Sequence, residues 1–108
     1  HAYRLGDTVG QAELERGDFL CFQYAFLPLE RPWPRSGVLK KPGGLYARRY
    51  HVGAYANMGE SYKKLLSQIQ AAGLRPAGPA YEYCVLDCLT SPRAEEYITE
   101  LQIPVSAG

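Results

Sequence analysis

The strongest constraint on this chain is that it carries one clear amphipathic helix and no second one. Tyr62, Leu65, Leu66 and Ile69 recur at i, i+3, i+4 and i+7, with Lys63, Lys64, Ser67 and Gln70 on the outside. Asn57 with Glu60 three positions on makes a capping-box arrangement; Gly73 fits the C-terminal cap, and Pro76 forbids resumption. The spacing predicts a helix over 57–73. A lone apolar stripe must be buried against something else, and the other apolar segments alternate with period two. The fold class that satisfies both is α+β, an antiparallel sheet of about five or six strands with the helix packed on it.

Strands are expected over 8–14, 18–26, 45–55, 80–87 and 99–105. Glu15-Arg16-Gly17 reads as a hairpin turn between the first two, and Ser91-Pro92 marks a turn between the last two. Residues 28–44 hold four prolines and three glycines and read as a loop or crossover, in which Trp33 either plugs a core edge or covers a pocket mouth. Pro104 has no N–H to give a ladder, so an edge or terminal position is expected for the last strand. From residue 45 to 105 the order is strand, helix, strand, strand, a complete β-α-β-β unit. Residues 1–44 look like the tail of another. No linker divides them, so 1–108 is one domain.

A chain of 108 residues with 46% apolar content supports one core. Its net charge of +1, with no basic run longer than two residues, argues against direct nucleic-acid binding. No stretch is long and apolar enough to span a bilayer, and His1 opens no signal peptide. Cys21, Cys84 and Cys88 match no redox or zinc spacing and read as free thiols of a cytoplasmic protein. The nine tyrosines against three phenylalanines suit a cavity wall, because the ring stacks on a flat ligand while the hydroxyl keeps a partner. They equally suit a sheet rich in strand formers.

Glu82 is the most informative single position. Alternation puts it on one face with Cys84 and Leu86, and an ionised carboxylate on an apolar face costs several kcal/mol (about the scale of other buried charges) unless paired. A cationic ligand could be that partner; so could Arg48 or Arg49, or Glu82 could lie on a solvated face. Glu100 shares a face with Gln102, opposite Leu101 and Ile103, and is expected at the solvent. Glu95 and Glu96 read as surface charge and His51 as structural. No nucleophile motif, phosphate loop or metal-ligand spacing is present, so no catalytic residue, cofactor or metal is assigned.

The segment Tyr81-Glu82-Tyr83, followed after a loop by Glu96-Tyr97-Ile98-Thr99-Glu100-Leu101-Gln102-Ile103-Pro104-Val105, resembles the C-terminal signature of the GyrI-like effector-binding family. Gly73-Leu74 and Gly78-Pro79-Ala80-Tyr81 are similar to the family's approach to that strand. The resemblance implies a pseudo-duplicated, SHS2-like fold of two β-α-β-β halves around a pocket, here with the opening strand and helix of the first half missing. It implies a sensor domain of a MerR- or AraC-type regulator, or a standalone relative, that binds lipophilic organic cations in a tyrosine-lined pocket with a buried glutamate. On that resemblance Glu82, Tyr97 and Cys84 are ligand contacts, joined by Tyr55 and Tyr46. Glu100 pairs with Glu82 in the alternative, a small hydrolase on the same fold; a protein-interaction domain is the third class. An incomplete first half would leave the sheet under Leu20, Phe22 and Tyr24 uncovered and favour a homodimer.

Overall fold

A computed structural model describes residues 6–20, 22–26, 41–86 and 93–108; the readings of Cys21, Trp33, Cys88, the Ser91-Pro92 turn and most of the 28–44 loop lie outside them. Strand β1 (Gly6–Val9) leads into helix α1 (Gln11–Arg16) and strand β2 (Phe22–Phe26). Strand β3 (Tyr46–Val52) is followed by a 3-10 turn (Tyr55–Asn57) and helix α2 (Met58–Ala71). Three strands close the chain: β4 (Leu74–Pro76), β5 (Ala80–Leu86) and β6 (Ile98–Ala107). Five strands form an antiparallel sheet in the order β2-β1-β5-β6-β3, and the short β4 pairs with the far end of β6. The α+β class is as expected. Among the described residues no helix is long and apolar enough to cross a membrane.

The opening of the chain departs from expectation. The strand foreseen over 8–14 stops at Val9, and the turn foreseen at 15–17 lies at the end of α1. Gln11 to Arg16 are all good helix formers, and with only Leu14 buried among them they carry too little apolar alternation to hold a strand. Gly17 then takes a left-handed φ of 82°, and its N–H donates to Leu14 O at 3.2 Å, closing the helix. A strand and a helix therefore do stand at the start, though both are short.

Helix α2 covers one face of the sheet. Met58, Tyr62, Leu65 and Ile69 are buried against Val9, Ala80, Leu101, Ile103 and Val105, with Leu14 of α1 closing one side. Leu66 is only partly buried at the margin. Phe19 stacks on Tyr62 with ring centroids 5.0 Å apart. Asn57 does occupy the N-cap position, but its φ and ψ of −95° and 7° are not those of an extended cap, and its side chain makes no capping bond. The preceding 3-10 turn supplies the helix start instead, with Asn57 N–H donating to Ala54 O at 3.1 Å. Gly73, at φ 74°, ends the helix as expected.

Pro104 lies in an interior strand, not at an edge: β6 sits between β5 and β3. The reason is local. Val105 N–H donates toward β3, to Leu45 O at 3.0 Å, so the Pro104 nitrogen and carbonyl face the other way. On that side β5 has ended and β4 has not begun; Ala77 N–H donates to Pro104 O at 2.8 Å across the break. Gly78 packs on the proline ring so closely that an added Cβ would lie 2.9 Å from Pro104 Cγ. The missing N–H falls where no strand asks for it.

The core arrangement gives a direct expectation. Leu65→Ala should cost about 2–5 kcal/mol in chemical denaturation, and Leu66→Ala clearly less, because only the first leaves a closed cavity. Equal losses would mean that α2 is rotated from the orientation described.

Candidate functional site

Alternation along β3, β5 and β6 divides the polar residues between two faces. The pairing Tyr81↔Gln102, Glu82↔Leu101 and Tyr83↔Glu100 places Glu82 with the leucine under α2, and Glu100 with the tyrosines on the outer face.

Under α2, Glu82 is 1% exposed. The Tyr62 hydroxyl donates to Glu82 Oε2, and Asp7, directly opposite on β1, is hydrogen-bonded to the same carboxyl. Burial, followed by the Asp7 contact, pushes the Glu82 carboxyl up to about 9, while the Tyr62 bond pulls it down a little. Near neutral pH Glu82 is thus a protonated acid. It can donate to Asp7 while accepting from Tyr62, so the Glu82 carboxyl itself carries no buried charge, while the other Asp7 oxygen, Oδ1, is buried without a hydrogen-bond partner among the described residues. Burial beside Glu82 also keeps the Tyr62 hydroxyl protonated. Neither Asp7 nor Tyr62, read only as part of the helix stripe, stood out in the sequence as a partner of Glu82, because each becomes one only through the β1–β5 register and the helix packing.

Tyr55, Tyr97 and Cys84 gather at the edge of this covered side. The two rings lie 5.3 Å apart, tilted by 32°, and the Tyr55 hydroxyl stands 4.0 Å from Cys84 Sγ. His51 is buried and structural, as expected. Its Nε2–H donates to Ala54 O at 2.9 Å, and Ser61 Oγ lies 2.7 Å from Nδ1, tying β3 to the start of α2.

On the outer face, Tyr46, Tyr81 and Tyr83 surround one ammonium group. Lys41 Nζ lies 4.4 Å from the Tyr46 ring centroid and 5.0 Å from those of Tyr81 and Tyr83. It donates to the Tyr83 hydroxyl at 3.0 Å and to Gln102 Oε1. Gln102 in turn donates to Glu100 Oε2 at 2.6 Å. Glu100, expected at the solvent, is 4% exposed, and Arg48 approaches it only to 3.9 Å. Burial pulls the Lys41 ammonium below the usual lysine range, opposed by the attraction of Glu100. Burial also raises the hydroxyls of Tyr46 and Tyr81. The Tyr46 hydroxyl donates to Pro42 O at 2.5 Å, and its ring meets Tyr81 edge to face at 6.2 Å.

The candidate ligand residues are therefore divided. Tyr46 and Glu100 share the outer face with Tyr81, Tyr83, Gln102 and Lys41, whereas Glu82, Cys84, Tyr55 and Tyr97 lie on the covered side. One ligand cannot touch both sets. Nor do Glu82 and Glu100 converge as an acid–base pair, since the sheet stands between them. The alternation that put Glu82 with Cys84 already implied Tyr81 and Tyr83 on the opposite face; Lys41 gave no signal, lying far off in a proline- and glycine-rich segment. Among the described residues no group of three His, Cys, Asp or Glu could hold a metal. A depression of about 450 Å³ along Arg49, Glu60, Lys63, Lys64, Ser67 and Gln68 is solvated helix surface.

Glu82 makes stability depend on pH. Its folded pKa of about 9 lies above the unfolded value of about 4.3, so the folded state binds more protons between those limits. The stabilisation is complete below about pH 4.3 and is lost as pH rises toward 9, at up to about 1.4 kcal/mol per pH unit. Glu82→Gln copies the protonated acid, accepting from Tyr62 and donating to Asp7. Denaturation at several pH values should show the variant more stable than the parent at pH 9 and nearly insensitive to pH in this range. An unchanged slope would contradict the assignment.

Comparison with known proteins agrees with this architecture. The family model of the GyrI-like small molecule binding domain matches residues 28–106. The "Multidrug-efflux transporter 2 regulator" of Bacillus subtilis (strain 168) is 26% identical over 85 residues, covering 79% of this chain and 30% of that protein. The chain thus spans about a third of its relative's length. No solved structure matches it significantly. A match over more than half of the chain, on a sheet-and-helix fold of the expected class, shows that it belongs to the GyrI-like small molecule binding domain family.

Proposed function

We propose that this domain binds organic cations on its outer face, between Tyr46, Tyr81 and Tyr83 and above Glu100. One observation carries the reading: an ammonium group already sits there, within 4.4–5.0 Å of the centroids of all three rings. Electron-rich ring faces attract a cation, and a buried carboxylate behind them supplies the opposite charge. Glu82, Cys84, Tyr55 and Tyr97 take the structural part in this reading, and the protonated Glu82 stiffens the strand that presents Tyr81 and Tyr83. The relative's name supports a multidrug-sensing role. We read the chain as the sensing portion of a transcription regulator or as a standalone binding protein, with residues 45–105 as a complete β-α-β-β half and β1, α1 and β2 as an abbreviated partner.

Calorimetry with phenyltrimethylammonium and its neutral isostere tert-butylbenzene tests this. Glu100→Gln should weaken the cation relative to its neutral isostere by about 1–3 kcal/mol, the scale of a partly screened ion pair. Tyr81→Ala should weaken both, since it removes ring area as well as cation–π attraction. Should Glu82→Gln prove damaging to cation binding and Glu100→Gln harmless, the site lies on the other face.

A further inference from the structure

We infer that Lys41 is a tethered competitor in this site, and that it restricts the ligands to bulky quaternary or aromatic cations while excluding primary alkylamines. The inference rests on the cation-binding reading above and adds to it a selection rule. Lys41 holds the features that the described residues offer there to a small ammonium ion: the faces of Tyr46, Tyr81 and Tyr83, the Tyr83 hydroxyl, and Gln102, which itself leans on Glu100. Because it is attached to the sheet through Pro42-Gly43-Gly44-Leu45, its effective concentration at the cage is of the millimolar order typical of short tethers. A free primary amine brings the same three N–H donors and the same charge, so it has no advantage with which to displace the tether. A larger cation covers all three rings at once and adds apolar area that an ammonium lacks.

Displacement is physically accessible. Burial already disfavours the Lys41 charge, lowering its pKa, so leaving the cage returns that ammonium to water. Gly43 and Gly44 are exposed, and Gly44 sits at a φ of 130°, conformational freedom suited to a swinging segment. While Lys41 is home, the fraction of protein ready for ligand is small, and apparent affinity falls in proportion to that fraction.

Removing the tether tests this in three arms. Lys41→Ala should tighten phenyltrimethylammonium and tert-butylbenzene alike, each by about tenfold or more, because both need the vacated space. The same variant should acquire binding of n-butylammonium, which replaces the deleted side chain and which the parent protein ignores. In the parent, an amine-acylating reagent followed by mass spectrometry should modify Lys41 slowly, and faster once phenyltrimethylammonium is added. If only the cations gain from Lys41→Ala, the residue is a nearby charge and not an occupant, and the inference fails. It also fails if Lys41 reacts at one rate with and without the cation, or if the parent binds phenyltrimethylammonium and the variant binds it no better. If neither form binds that cation, the cation-binding reading falls with it.

Discussion

The register of β5 against β6 is the constraint on which the rest depends. Glu82 faces Leu101 and Tyr83 faces Glu100, so two neighbouring strands send their carboxylates to opposite sides of one sheet. A slip of one residue in β6 would turn its side chains over, bringing Glu100 under α2 on the same face as Glu82 and turning Leu101 and Ile103 outward. The register is held from both sides. Leu101, Ile103 and Val105 need burial against Tyr62, Leu65 and Ile69, and the Pro104 nitrogen must meet the gap between β4 and β5. A bulge between Cys84 and Leu86 absorbs the mismatch at the far end, beyond the residues that form the site.

The two carboxylates then solve the same electrostatic problem by different means. Under α2, with no cationic partner among the described residues, Glu82 keeps its proton and becomes a hydrogen-bonding link between Tyr62 and Asp7. On the outer face, Glu100 is nearly as buried, but a chain of contacts through Gln102 connects it to the Lys41 ammonium. A neutral acid in a core does structural work; a carboxylate beside a cation cage is, in the function proposed above, a recognition element. The aromatic residues follow the same division, with Tyr62 of α2 and Tyr55 on the covered side and Tyr46, Tyr81 and Tyr83 presented outward.

Much of the fold was legible because it rests on strong periodicity. The stripe at Tyr62, Leu65 and Ile69 located α2, and Gly73 located its end; alternation located β3, β5 and most of β6. What was misread had weak or competing signals. Residues 11–16 have one buried apolar side chain, so neither period dominates, and helix propensity with the Gly17 cap decides for helix. Pro104 argued for an edge because a rule about N–H groups cannot foresee a break in the neighbouring ladder. The division of the site between faces was half-legible: parity along β5 separates Glu82 from Tyr81 and Tyr83, but the burial of Glu100 and the arrival of Lys41 depend on residues distant in sequence.

The most direct measurement is the tyrosine-ring NMR spectrum of the protein titrated with phenyltrimethylammonium. Binding on the outer face predicts large shifts for the rings of Tyr46, Tyr81 and Tyr83, with those of Tyr55, Tyr62 and Tyr97 nearly unmoved. The reverse pattern, with Tyr55 and Tyr97 shifting and the outer rings still, would place the ligand beside Cys84 and contradict the account.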